Sequence, residues 1–285
     1  ELPAIQSRLT ATLATMLVEA TDADTMARMI VTTKRRQAIG RPPQVYDIAV
    51  WERAVNVLVR QVTEEGKKVT GDPMGLLVAG FDTSPVAEDE FNDWYDTEHI
   101  PERSRIPGFI NCERWLGADD PKISIATYDL QSPAVLESAE YRAIAGPNLS
   151  PWSKRLTARC RRICRFEAEQ ILPGNRAAPP GAGALLLFAM NVESAAESDF
   201  NDWYDREHLL GLAAVPGCLS ARRFRIHKAV SQGNHRYVAL YHLATPDVCL
   251  SAEWKKAVET PWTHRIRPHT RDRLRIVLRR YRGSR

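Results

Sequence analysis

Phe91-Asn92-Asp93-Trp94-Tyr95-Asp96-Thr97-Glu98-His99 recurs as Phe200-Asn201-Asp202-Trp203-Tyr204-Asp205-Arg206-Glu207-His208, with Thr97 replaced by Arg206 as the one difference. The likeness continues beyond these nine residues. Pro107-Gly108 returns as Pro216-Gly217 at the same offset, Tyr128 to Pro133 matches Tyr241 to Pro246, and Pro151-Trp152 matches Pro261-Trp262. Self-similarity over such a length is the signature of a repeated structural unit, so the repeat spans a whole domain.

Each copy carries the same order of local signals. Apolar runs at 76–81 and 185–190 read as buried strands, and the acid-rich segment after each suits a helix N-terminus. Within the helix Phe91, Trp94, Tyr95, Glu98 and His99 fall on one face. Pro101 is expected to end it. Strands follow at 109–116 and 123–130, then a helix at about 133–145 and a strand at 156–166. The second copy repeats the order through 218–226, 237–243, 246–258 and 271–281. The pattern is βαββαβ, the split-βαβ or ferredoxin-like arrangement. The expected domains are therefore 73–171 and 184–285, joined by a Pro/Gly-rich linker at 172–183. Residues 1–72 belong to neither copy and read as a helical extension, with apolar residues at helical spacing over 5–19, 25–38 and 45–65 and a break at Pro42-Pro43. Packing or dimerisation is the role expected of this segment.

The composition of the 285 residues, 44% hydrophobic and 26% charged, is that of a soluble globular protein. No apolar run approaches the roughly 20 residues of a membrane span, and no basic-then-apolar leader opens the sequence, so cytoplasmic location is the expectation. The five cysteines, Cys112, Cys160, Cys164, Cys218 and Cys249, lack Cys-x-x-Cys spacing, which argues for reduced thiols over a disulfide framework or zinc site. Cys160 and Cys164 are placed on one strand face by this reading. A net charge of +4 does not require a polyanionic partner. The final strands are rich in arginine (Arg159, Arg161, Arg165; Arg271, Arg273, Arg275, Arg279), but no aromatic stacking platform is interleaved, which disfavours nucleic acid.

The repeated motif, followed by Pro-Gly before a strand, resembles the dimeric α+β barrel superfamily, with the nearest likeness to EthD-like or stress-responsive barrel proteins. The resemblance covers about 75–285. It implies two four-stranded sheets closing face to face, here within one chain, and a ligand cleft between each sheet and its own helices. It also implies a preference for small aromatic, lactone or quinone-like substrates, while fold alone does not choose among the superfamily's cofactor-free oxygenases, isomerases, cyclases and haem proteins.

His99 is the leading catalytic candidate, with Tyr95 and Asp96 one helical turn before it; Tyr204, Asp205 and His208 form the equivalent set. A carboxylate bonded to imidazole raises its basicity, and a phenol can donate to a developing oxyanion, which suits proton abstraction beside a carbonyl. The competing reading is structural: a histidine capping the helix end, with an aromatic stripe that is core. Trp94, Arg103, Tyr128, Trp203 and Tyr241 are the candidate substrate-binding residues. The first copy, which keeps Pro101, Glu102 and Arg103 where the second has Leu210, Gly211 and Leu212, is the copy expected to be active. No metal is expected, because consecutive Glu98 and His99 diverge by about 100° on a helix. The expected function is a cofactor-independent lyase, isomerase, cyclase or oxygenase. The alternatives are a haem barrel, with His99, His208, His264 or His269 as axial ligand, and a non-catalytic binding or assembly module. The expected partner is a small-molecule substrate, with a second copy of the chain docking through the helical extension or the outer faces.

Overall fold

The computed structural model describes residues 73–283, so the helical extension expected over 1–72 lies outside the described residues. The first strand, β1 (Gly75–Asp82), is buried along nearly its whole length. A strand covered on both faces tolerates few polar residues, which is why it reads as a continuous apolar run. Helix α1 (Glu88–Trp94) starts with Glu88, Asp89 and Glu90 in its first turn, favourable to the helix dipole. It then widens into a π-turn over Tyr95–His99, where the Ile100 N–H reaches back to the Tyr95 carbonyl. Helix α2 (Ile100–Ser104) continues in the same direction. Pro101 therefore does not end the helix: it sits in the first turn after the π-turn, where the regular hydrogen-bond ladder is already interrupted.

Strands β2 (Phe109–Gly117) and β3 (Ile123–Leu130) fall where the sequence places them. The expected helix at 133–145 is broken into a 3₁₀ turn (Pro133–Glu137) and a single α-turn, α3 (Ala139–Arg142). The expected strand at 156–166 is corrected as well. Residues Pro151–Arg159 form helix α4, capped by the Ser150 side chain accepting from the Ser153 N–H with proline at the first position, and strand β4 runs over Arg161–Leu172. Cys160 terminates α4 and does not share a strand face with Cys164.

The second half follows the same order: β5 (Ala184–Val192), α5 (Glu197–Trp203), a π-turn (Tyr204–His208), α6 (Leu209–Ala213), β6 (Cys218–Ser231), β7 (Tyr237–Leu243), α7 (Ala252–Val258), α8 (Pro261–Ile266) and β8 (Thr270–Arg280). The eight strands close in the order β1-β3-β2-β8-β5-β7-β6-β4. The two halves join at β2 with β8 and at β4 with β6, both antiparallel.

Alternation along each strand sorts the apolar residues into three cores. Trp115, Phe166, Phe224, Leu187, Leu240 and Leu278 fill the barrel from both halves. Phe91, Trp94, Tyr95, Tyr128 and Leu156 pack the first half's helices onto its sheet, and Phe200, Trp203, Tyr204, Tyr241 and Trp254 do the same in the second. The Pro/Gly stretch between the halves is tied across one end of the barrel. Gly174 O accepts from the Met74 N–H, Gln170 bonds both the N–H and the carbonyl of Arg176, and the Ala178 N–H reaches Asp129 at 2.6 Å.

The repeated Pro-Gly has a physical cause. Gly108 and Gly217 turn the chain into β2 and β6 with φ of 92° and 87°, and a Cβ there would lie 2.6 and 2.7 Å from a methyl of Val135 and Val248. We expect Gly217→Ala to cost about 2 kcal/mol through backbone strain and that clash. Gly211→Ala, in open space on α6, should instead stabilise by about 0.5–1 kcal/mol. Urea unfolding of the two variants checks both signs.

Candidate functional site

The motif's side chains divide between two tasks. Asn92 and Asp96 face strand β2, where Arg114 is buried: Arg114 Nη2 donates to Asn92 Oδ1 at 2.6 Å and its Nη1 lies 3.7 Å from Asp96 Oδ1. The second half repeats this with Arg223 donating to Asn201 at 2.5 Å and to Asp205 at 2.7 Å. Each guanidinium also lies over the motif tyrosine, 4.7 Å from the Tyr95 centroid and 4.5 Å from that of Tyr204. Trp94, Glu98 and their counterparts face the next helix. Trp94 Nε1 donates to Ser153 at 3.0 Å, and Glu98 accepts from Ser150 and Ser153 at the start of α4. Trp203 donates to Thr263 at 3.2 Å, and Glu207 accepts from Thr260 at 2.6 Å.

The π-turn places His99 on Trp94 five residues before it, 4.3 Å between ring centroids, and His208 on Trp203 at 4.2 Å. In a regular α-helix residues five apart point about 140° from each other, so the π-turn is what permits the stacking. Both imidazoles are buried, at 7% and 5% exposure, and neither Nδ1 has a partner among the described residues. Burial depresses both pKa values, with help from Arg103 and Arg114 at His99 and from Arg223 at His208, whose value falls to about 3. The expected carboxylate–imidazole pairs are absent. Asp96 faces Arg114 and accepts from the Tyr281 hydroxyl at 2.8 Å, while Asp205 faces Arg223. Tyr95 with Tyr128, and Tyr204 with Tyr241, form fully buried phenol pairs in which the Tyr95, Tyr128 and Tyr241 hydroxyls lack well-formed hydrogen bonds, and burial pushes all four pKa values up. Arg103 is buried, donating to the His99 carbonyl and to Glu102, each at 3.2 Å. The structure thus brings His99, Tyr95, Trp94 and Tyr128 together, but in a sealed core. The histidines sit in mid-helix, away from the carbonyl end where capping would place them.

Solvent-reachable space lies farther along the same helix–sheet seam. In the first half it is a residual crevice of about 10 Å³ among Glu88, Asn92, Arg114, Lys122 and Ser124, crossed by a Lys122–Glu88 ion pair at 3.0 Å. The equivalent seam of the second half opens to about 440 Å³, lined by Glu197, Asn201, Arg225, Ile226, Arg236 and Tyr237. Tyr237 donates to Glu197 Oε1 at 2.7 Å, and Arg236 Nη1 reaches both carboxylate oxygens at 3.0 and 3.1 Å. Tyr237, then Arg236, hold the Glu197 carboxyl below its usual range, whereas burial and the bond to Glu197 raise the Tyr237 phenol. The cleft therefore presents a carboxylate, a neutral phenol and the exposed Arg225 guanidinium. None of these belongs to the sequence-derived set. Glu197 is one helical turn before Asn201 as Glu88 is before Asn92, a recurrence that could have drawn attention to it; Tyr237 replaces Ser124 and leaves no repeated signal.

Haem does not fit. All seven histidines are placed, and none faces a roomy apolar cleft. His99, His208 and His242 are sealed, His235 is held between Ser231 and the Asp272 carbonyl, and exposed His227, His264 and His269 pair with glutamates. Among the described residues there is no His/Cys/Asp/Glu group arranged to hold a metal, and no helix long and apolar enough to cross a membrane.

No family model and no curated protein matches the chain. Solved structures match its fold. An anthrone oxidase-like protein superposes with a TM-score of 0.53 at 14% identity, covering 74% of this chain and 96% of its own. A provisionally named monooxygenase from Fusobacterium nucleatum gives 0.51 at 7% identity, covering 74% and 94%. A provisionally named chlorite dismutase gives 0.51 at 14% identity, covering 74% and 96%. At these identities the likeness is one of fold: the chain is an α+β protein with a closed eight-stranded barrel and ferredoxin-like neighbours.

The buried histidines set a pH dependence. Their folded pKa lies below the unfolded value of about 6.5, so their contribution to stability is complete above that pH and is lost as the pH falls from about 6.5 towards 3. His208 should remove about 1.4 kcal/mol per pH unit in this window, hence about 2 kcal/mol at pH 5, and His99 adds a loss of the same sign. Unfolding free energies at pH 7.5, 6.5, 5.5 and 5.0 measure the slope, and His208→Phe, which keeps an aromatic ring on Trp203, should lower it by about one proton.

Proposed function

We propose that the protein is an enzyme of the α+β barrel type that acts on a small aromatic, quinone-like or lactone-like metabolite held in the open cleft of the second half. The observation that carries this reading is the contrast between the two seams: one is closed to about 10 Å³, and the other opens to about 440 Å³ around Glu197, Tyr237 and Arg225. The cleft is shallow and open, so a flat ligand would lie against the seam with one face towards solvent. The names of two neighbours in the fold, one for an anthrone, which is a fused-ring ketone, and one for monooxygenation, suit the same substrate class.

The chemistry available there is proton transfer beside an oxygen. Glu197, ionised at neutral pH, accepts the proton from an acidic C–H or O–H; the Arg225 guanidinium stabilises the negative charge that develops on the substrate's oxygen, while the Tyr237 O–H, donated to Glu197, keeps that carboxylate in place. Formation of such an anion is a first step open to a lyase, an isomerase, a cyclase or a cofactor-free oxygenase. The set proposed from sequence, His99 with Tyr95 and Asp96, serves instead to fasten helix to sheet, and the same holds for His208, Tyr204 and Asp205. The repeated sequence and the matching order of elements support two ferredoxin-like units fused in tandem; kinship with EthD-like proteins rests on the motif alone.

A thermal-shift panel of hydroxyquinones, anthrones, naphthols and lactones should yield ligands whose stabilisation is lost in Arg225→Trp, which replaces the exposed guanidinium of the cleft with an indole. With the best of them as substrate, Glu197→Gln should lower turnover by about 10² to 10⁴. His99→Ala should cost stability, with turnover per folded molecule kept near the parent value. Ligands that survive Arg225→Trp, or equal loss of turnover in Glu197→Gln and His99→Ala, would overturn the assignment.

A further inference from the structure

The end of the barrel beneath the Pro/Gly segment is lined by charge, in an arrangement that differs between the halves. Strand register makes three pairs of positions equivalent. Glu113 and Arg222 precede the motif-bound arginines on β2 and β6; Asp129 and His242 follow the buried tyrosines on β3 and β7; Gln170 and Arg280 follow the residues opposite Gly75 and Ala184 on β4 and β8. The first half thus supplies two acids and a glutamine, and the second supplies two arginines and a histidine.

These groups meet across the barrel. Asp129 accepts from Arg222 Nη1 at 2.8 Å, with the side chains 2% and 1% exposed. Glu113 accepts from Arg280 at 2.8 Å and lies 3.9 Å from His242 Nε2. The acids pair with bases of the other half, and no base of the first half substitutes: Gln170 is turned onto the Arg176 backbone. Burial raises the Glu113 pKa, while Arg280 and Arg222 oppose the rise; burial with Arg222 and Arg280 keeps His242 neutral.

We propose that this barrel end is a charge lock that lets an acid-bearing first half close only on a base-bearing second half, within one chain or between two chains that exchange halves. Two first halves brought together would bury four carboxylates, and two second halves would set two buried and two partly exposed guanidinium groups beside two histidines. A buried like charge without a partner costs far more than the paired arrangement gains, so the penalty on wrong closure is what confers selectivity. A second copy of the chain is thereby excluded from like-with-like barrel closure, and self-association through other faces is left open.

Exchange of the three residues in the full chain tests this. Arg222→Glu/His242→Asp/Arg280→Gln makes both halves acidic, Glu113→Arg/Asp129→His/Gln170→Arg makes both basic, and the six-fold variant restores complementarity with reversed polarity. The two half-converted chains should lose their cooperative melting transition or melt about 10 °C or more below the parent. The six-fold variant should recover most of that loss and remain the size of the parent in light scattering. A smaller probe guards against general misfit: Arg222→Asp alone should melt low, and Asp129→Arg added to it should raise the melting point. The inference is overturned if the half-converted chains melt within about 2 °C of the parent. It is equally overturned if neither the six-fold exchange nor the Asp129/Arg222 swap melts above its half-converted counterpart.

Discussion

A guanidinium buried beneath an aromatic helix is the constraint on which each half of this protein depends. Arg114 and Arg223 are 6% and 1% exposed, and a cation in that position is tolerated only if its donors are met and its charge is balanced. The motif answers the charge and part of the donor set from one turn of helix: asparagine accepts one hydrogen bond, aspartate balances the charge, and the tyrosine ring takes the planar face. Those side chains must all point at the sheet, while tryptophan and glutamate must reach the following helix. The π-turn changes the phase of the helix partway along it and lets both requirements be met. Five of the motif's residue types thus follow from one electrostatic problem and its packing consequences.

This explains why the sequence revealed the fold more readily than the site. Strand order, the fold class and the helix after the first strand of each half were legible because buried strands alternate or run apolar and because the repeat supplied every signal twice. The helices at 151–159 and 261–266 were signalled too, by Ser150-Pro151 and Thr260-Pro261, a cap followed by proline at the first helical position; the strand pattern of the residues beyond them obscured that signal. The site was harder. Helical spacing shows which residues share a face but not whether that face meets solvent or core, so Tyr95, Asp96 and His99 looked like a catalytic set. Arg114 and Arg223 stand at the same distance from the motif in both halves, and that recurrence is the signal that would have identified the true partners of Asp96 and Asp205.

Repetition, moreover, marks what every copy must do, and folding is the need most surely shared. The cleft proposed to hold the substrate does not recur. The open cleft is accordingly built from positions at which the halves differ: Arg225 in place of Leu116 and Tyr237 in place of Ser124, beside a glutamate that both halves keep. In the first half that glutamate is taken up by Lys122, and the seam closes. In the second it is held by Tyr237 and Arg236, and the seam stays open.

Divergence at the seam and divergence inside the barrel require each other. At this end of the barrel the halves meet through unlike positions, Asp129 with Arg222 and Glu113 with Arg280, and because each half carries charge of one sign there, two copies of either half would set like charge against like. With unlike halves in one chain, opposite charges face each other across the axis, as Asp129 and Arg222 do. The same freedom allows one seam to be packed shut for stability while the other is left open at some cost in burial, because the closed half can carry the stability that the open half gives up. The charged end keeps the two unlike halves matched, so each barrel contains one closed seam and one open one. The buried ion pairs, weak as a source of net stability, are thus better understood as what preserves that asymmetry.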